Sequence, residues 1–200
     1  MDKKIIPYKQ RGDTCAIACL MMVLEYYNVM KKANWYDEKR LYRIYGSKYM
    51  SGTPFSALAY HFSKNGLDTV LYHEDRNLFN NEKKAFSEEI FNFAMDEYKQ
   101  YLKRAEDANT KVVNGISINS RLIYDKLEEG NLVILAGQNT SGGYHAVLVS
   151  DYENDEFVVC DPQYKTKQYK KSDEIDEFIS TDIGKWFVTV NNNSKIRNDD

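Results

Sequence analysis

QRGDTCAIACLMMVLEYY, residues 10–27, is the stretch on which the reading of the fold turns. Asp13 and Thr14 are both types that N-cap helices, so either can open a helix at Cys15. Ile17, Leu20, Met21, Leu24 and Tyr27 form one apolar face, and Ala18, Cys19, Met22 and Val23 fill much of the other. A helix apolar on most sides is a buried, central one. Its first residue is a thiol, placed where peptide dipoles and free N–H groups favour negative charge and shift a cysteine toward thiolate. A thiolate that does chemistry also needs a proton acceptor, and the acceptor needs an orienting group.

Working outward, helices are expected over 36–45 and 54–64, the second ended by Asn65-Gly66. DTVLYH (68–73) reads as a short strand. Residues 82–105 read as a charge-rich helix with Phe86, Ile90, Phe93 and Tyr101 on a partial stripe, an insertion on the helical half. After Gly115 the character changes. ISIN (116–119) reads as a strand or a lead-in, and SRLIYDKLEEG (120–130) as a helix capped by Ser120 and stopped by Gly130. NLVILAGQ, YHAVLVSDY, EFVVCDP and KWFVTVN are rich in Val, Ile and aromatics and read as strands, with a short helix in KKSDEIDEFIS between the last two. The expected class is α+β: an N-terminal helical lobe (1–112) whose buried nucleophile helix packs on a C-terminal antiparallel β-sheet lobe (113–190). The two lobes are expected to form one domain, followed by a frayed polar tail (191–200).

Two hundred residues, 42% hydrophobic and 28% charged, suit a soluble globular protein with a substantial core. A net charge of −3 and basic residues met only in short pairs such as Lys31-Lys32 and Lys170-Lys171 argue against nucleic-acid binding. No apolar run reaches the length of a signal peptide or membrane span, and Cys15, Cys19 and Cys160 are too few for a disulfide framework. The expected setting is a reducing cytoplasm, although export without an ordinary signal reads the same way. His61, His73 and His145 stand in no Cys/His ligand pattern, so no metal is expected.

His145 is the candidate proton acceptor. It follows SGGY (141–144) and begins a strand whose partner ends in Asp161. With a turn centred on Glu153, facing residue numbers sum to 306 and His145 lies opposite Asp161; a loop one residue different puts Asp161 opposite Ala146. Gln10 supplies a side-chain amide that can donate to an oxyanion beside the Cys15 N–H. Each residue alone also has an ordinary reading: a packed core cysteine, a strand-end histidine, a turn-forming aspartate before Pro162. Cys19 and Cys160 fit the core reading best.

Taken together, Gln10, then Cys15-Ala-x-Ala and Met22-x-Leu-x-Tyr-Tyr, then Gly-Tyr-His145-Ala-Val-Leu-Val and Asp161-Pro, resemble the papain-like cysteine peptidases. The pattern is most similar to the bacterial branch that includes the double-glycine leader peptidases of bacteriocin exporters. The resemblance spans most of the chain and is weakest over 75–112. It implies a papain-like fold, with Gln10 as oxyanion donor and Cys15, His145 and Asp161 as a triad. It implies hydrolysis of a peptide or isopeptide bond in a peptide or protein substrate, without a cofactor. Acyl transfer on the same fold, or a catalytically inert peptide-binding module, are the alternatives. Ala16 stands where that branch often has glycine. With no apolar span of the kind an exporter needs, leader removal during export is not implied.

Overall fold

The computed structural model describes residues 4–75, 87–139, 142–180 and 185–192. The expectations for residues 82–86, for part of the SGGY stretch and for most of the terminal tail lie outside the described residues. Six helices are described: α1 (Cys15–Tyr26), α2 (Trp35–Tyr45), α3 (Phe55–Lys64), α4 (Glu88–Asp107), α5 (Ser120–Glu128) and α6 (Ser172–Ile179). With them run seven strands: β1 (Asp68–His73), β2 (Lys111–Asn114), β3 (Leu132–Gln138), β4 (Tyr144–Glu153), β5 (Glu156–Cys160), β6 (Lys167–Lys170) and β7 (Trp186–Asn191). The strands form one sheet in the order β2-β1-β7-β3-β4-β5-β6. Only the β1–β2 pair is parallel. The architecture is α+β. Among the described residues, no helix is long and apolar enough to cross a membrane.

Strand alternation decides what covers the sheet. Leu132, Ile134, Leu148, Cys160, Val188 and Val190 belong to a core shared with α1 to α4, while Val133, Leu135, Val147, Val149, Phe157, Val159 and Phe187 belong to a second core with α5 and α6. Strands buried on both faces lose the polar alternation of a half-exposed sheet, which is why they read as near-continuous apolar runs. Helix α1 lies in the larger core with every residue from Ala16 to Leu24 buried. At about 1.5–3 kcal/mol for each large apolar side chain removed from water, this helix anchors the first half of the chain.

The structure departs from the sequence reading in several places. ISIN is the lead-in to α5, and the strand is KVVN (111–114), paired in parallel with β1. Parallel neighbours need a crossover, and α4 lies in the connection between β1 and β2. Its buried ridge is Ala94, Tyr98 and Ala105, while Ile90 and Phe93 are 43% and 47% exposed. The small alanines let α4 sit close against the rest of the core. Helix α5 is capped by Asn119, whose side chain accepts from the Leu122 N–H, rather than by Ser120.

The β4–β5 hairpin also differs. It closes on Asn154-Asp155, both at positive φ (53° and 65°), a two-residue turn that short polar side chains tolerate. Pairs near the turn sum to 309 (Tyr152 with Phe157), and an irregularity between Val149 and Asp151 resets the sum to 308 (Leu148 with Cys160). Carried one residue further, Asp161 falls opposite Val147, not His145. His145 and Val147 share a parity, so Asp161 is the diagonal neighbour of His145 on one face. Without the bulge the sum of 309 would set Asp161 opposite Leu148, on the wrong parity.

Candidate active site

The thiol comes first. Thr14 occupies the N-cap of α1, yet its side chain makes no cap hydrogen bond, and the first turn carries no acidic residue. The leading N–H groups of the helix therefore lack a side-chain acceptor. Cys15 is half-buried, whereas Cys19 and Cys160 are buried, and all three are free thiols. Burial pushes the Cys19 thiol well up, with the neighbouring Cys15 and Asp161 adding to the effect. Burial likewise raises that of Cys160.

His145 starts β4, buried at 5% exposure. Its Nε2–H donates to Asp161 Oδ1 at 2.7 Å, and the same oxygen accepts from the Gln163 N–H at 2.8 Å. A carboxylate only accepts, so Nε2 carries the proton and Nδ1 is the nitrogen left for another partner. The Cys15 side chain stands beside this ring, close enough to act on its charge. Burial alone would disfavour a charged imidazole, but hydrogen bonds and charge from Asp161 and Cys15 outweigh it and raise the pKa from 6.5 to about 9.

Gln10 sits on the strap that leads into α1. Its backbone N–H donates to the Pro162 carbonyl at 2.8 Å, tying the strap to the residue after Asp161. Its Nε2 donates to the Gly12 carbonyl at 2.6 Å, and its Oε1 is buried without a hydrogen-bond partner among the described residues. Gly12 makes that turn with φ +85°, a conformation glycine adopts without steric cost. The structure thus brings Cys15, His145 and Asp161 together, with His145 hydrogen-bonded to Asp161, and ties the Gln10 backbone to the same place through Pro162. His61 and His73 stand elsewhere. The His61 ring lies edge-on to Tyr45, its pKa lowered to about 4 by burial with help from Lys64 and Arg40, and His73 lies against Trp186.

The sequence reading missed Glu38. This fully buried carboxylate of α2 accepts hydrogen bonds from the Tyr8 hydroxyl (2.7 Å), the Arg11 N–H (2.8 Å) and the Thr14 hydroxyl. A signal was present: Glu38 stands at helical spacing from Leu41 and Tyr45, on the buried stripe of its helix. Among the described residues, no group of three or more His, Cys, Asp and Glu side chains could hold a metal ion.

The profile of the Peptidase_C39 like family matches residues 3–189 of the chain. Among solved structures, the chain is similar to a C39-like peptidase from Bacillus anthracis, at 11% identity and a TM-score of 0.42, over 92% of this chain and 94% of that one. No curated protein matches significantly.

Proposed function

The chain belongs to the Peptidase_C39 like family, and from that membership we propose that it is a cysteine peptidase whose nucleophile is Cys15. The observation that carries this reading is the His145 ring, hydrogen-bonded through Nε2 to Asp161 and with the Cys15 side chain beside it. That arrangement supports an imidazolium–thiolate pair held at the positive end of a helix.

In this mechanism the thiolate attacks the carbonyl carbon of a peptide or isopeptide bond. The C–S bond forms and the carbonyl electron pair moves onto oxygen. The Cys15 N–H and one N–H of Gln10 Nε2 hold that oxyanion; the other amide hydrogen stays on Gly12, which keeps the group aimed. Collapse breaks the C–N bond as His145 passes its Nδ1 proton to the leaving amine, leaving a thioester. His145, now neutral, takes a proton from water, whose oxygen attacks the thioester; the carboxylic acid leaves and the thiolate returns. Asp161 keeps the ring in one tautomer throughout.

The test is turnover of a pool of fluorogenic peptide amides by wild type, Cys15→Ala and His145→Ala. Cys15→Ala abolishes turnover and leaves the thermal transition intact, because the deleted sulfur is half-buried and the helix keeps its apolar faces. His145→Ala is nearly as severe, since one residue serves both proton transfers. Full activity in Cys15→Ala would refute the assignment.

A further inference from the structure

Glu38 has no place in the chemistry above, yet its environment is unusual. A buried carboxylate is costly to desolvate and stays only where donors surround it. Leu41 and Tyr45 fill the same stripe of α2, so core volume alone does not call for a charged group there. The donors Tyr8, Arg11 and Thr14 all come from one short segment. They bracket Gln10 and stop one residue short of Cys15. Thr14 spends its hydroxyl on Glu38, and on a longer contact with the Arg11 carbonyl at 3.4 Å, instead of capping its own helix. The Arg11 guanidinium adds a second clamp to the same helix, 5.2 Å over the Trp35 ring. The turn itself is not held by packing at its glycine: a side-chain carbon at Gly12 would meet nothing within 4 Å.

Both oxyanion donors of the proposed mechanism belong to this strap or its end. Their mutual placement depends on the path of residues 8–14. We propose that Glu38 is a positioning residue for the oxyanion site: its carboxylate holds the strap through Tyr8, Arg11 and Thr14 so that the Gln10 amide and the Cys15 N–H converge on one point. The role rests on the peptidase reading. Glu38 bonds the strap, whereas His145 is held by Asp161 and has Cys15 beside it. Loss of Glu38 therefore affects stabilisation of the oxyanion and leaves thiolate formation alone.

The experiment takes the peptide amide that the wild-type chain turns over best and measures kcat and KM. In parallel it measures the rate at which iodoacetamide alkylates Cys15. Glu38→Ala is expected to lower kcat by roughly 10- to 100-fold with KM within about threefold, and to leave the alkylation rate at its wild-type value. Glu38→Gln is expected to recover most of kcat. Its carbonyl oxygen can accept from Arg11 and Thr14, and its NH₂ can donate to the Tyr8 hydroxyl, which accepts as readily as it donates. In a Gln10→Ala background, adding Glu38→Ala is expected to cost clearly less than it does in the wild type, since one of the two groups being positioned is already gone. Thr14→Val keeps the side-chain volume and breaks no cap bond, so it carries the test if Glu38→Ala does not fold; kcat falls several-fold with alkylation unchanged. The role is overturned if alkylation slows in step with kcat, if Glu38→Gln is as poor as Glu38→Ala, if the double-variant losses multiply in full, or if Thr14→Val keeps wild-type kcat. Turnover that survives Cys15→Ala would overturn the peptidase reading itself, a result separate from any of these.

Discussion

His145 shows how burial and two neighbours, Asp161 and Cys15, set the charge of one ring. Its folded pKa of about 9 lies above the ordinary 6.5, so the fold favours the charged form. The stability this contributes is fully present below pH 6.5 and is lost as pH rises through about 9. In the proposed mechanism the same titration ends the imidazolium–thiolate pair, so kcat/KM should fall on an alkaline limb near pH 9. Asp161→Asn removes the charge that helps hold the proton, and the limb should move to lower pH. The rate on the plateau should fall by up to about 10⁴-fold, the scale of orienter loss in serine proteases. A pH–rate profile of both proteins checks this; an unmoved limb would show that Asp161 does not hold the ring's proton.

Among the elements, the β3–β4–β5 unit carries most of the geometry. Gly137 faces His145 across the β3–β4 ladder. A side-chain carbon at Gly137 would stand 2.3 Å from the backbone oxygen of Phe178 on α6, so the helix lies directly on this strand position. Gly137→Ala must push α6 away or displace the strand opposite His145. It should destabilise the protein by about 1–3 kcal/mol, read as a lowered thermal midpoint, and should reduce turnover even where the protein remains folded. An unchanged midpoint would mean that the contact is looser than described. Some of this unit was legible in advance and some was not. The runs around Val133, Val147 and Val158 announce strands through their apolar, β-branched content. The turn residues and the bulge at Ser150 do not announce themselves, so a register sum of 306 was expected where 309 and then 308 occur. The error is even at the site, which is why His145 and Asp161 still share a face. Strand β6, KQYK, escaped notice because two lysines and a glutamine on an edge strand look like a loop. Glu38 escaped because a glutamate between aspartate and lysine on an amphipathic helix reads as solvated.

At the scale of the whole molecule, the chain interleaves its halves. The last strand, β7, lies between β1 from the first half and β3 from the second, so the helical segment and the sheet are not successive blocks. Long-range pairings of this kind leave no local periodicity, whereas helix α1 with its polar start and apolar body was readable from a dozen residues. The three thiols sample this architecture at different depths. Cys19 lies one turn below Cys15, its Sγ 3.5 Å from the Ala146 carbonyl, and Cys160 faces the same core from β5. Only Cys15 stands at a helix mouth with an imidazole beside it. The most direct measurement is therefore site-resolved alkylation of the folded protein with limiting iodoacetamide near pH 6, followed by peptide mapping of wild type and His145→Ala. Cys15 should be modified well before Cys19 and Cys160, and His145→Ala should slow that modification. Equal or reversed labelling of the three cysteines in folded wild type, or a Cys15 rate untouched by loss of His145, would contradict Cys15 as the nucleophile.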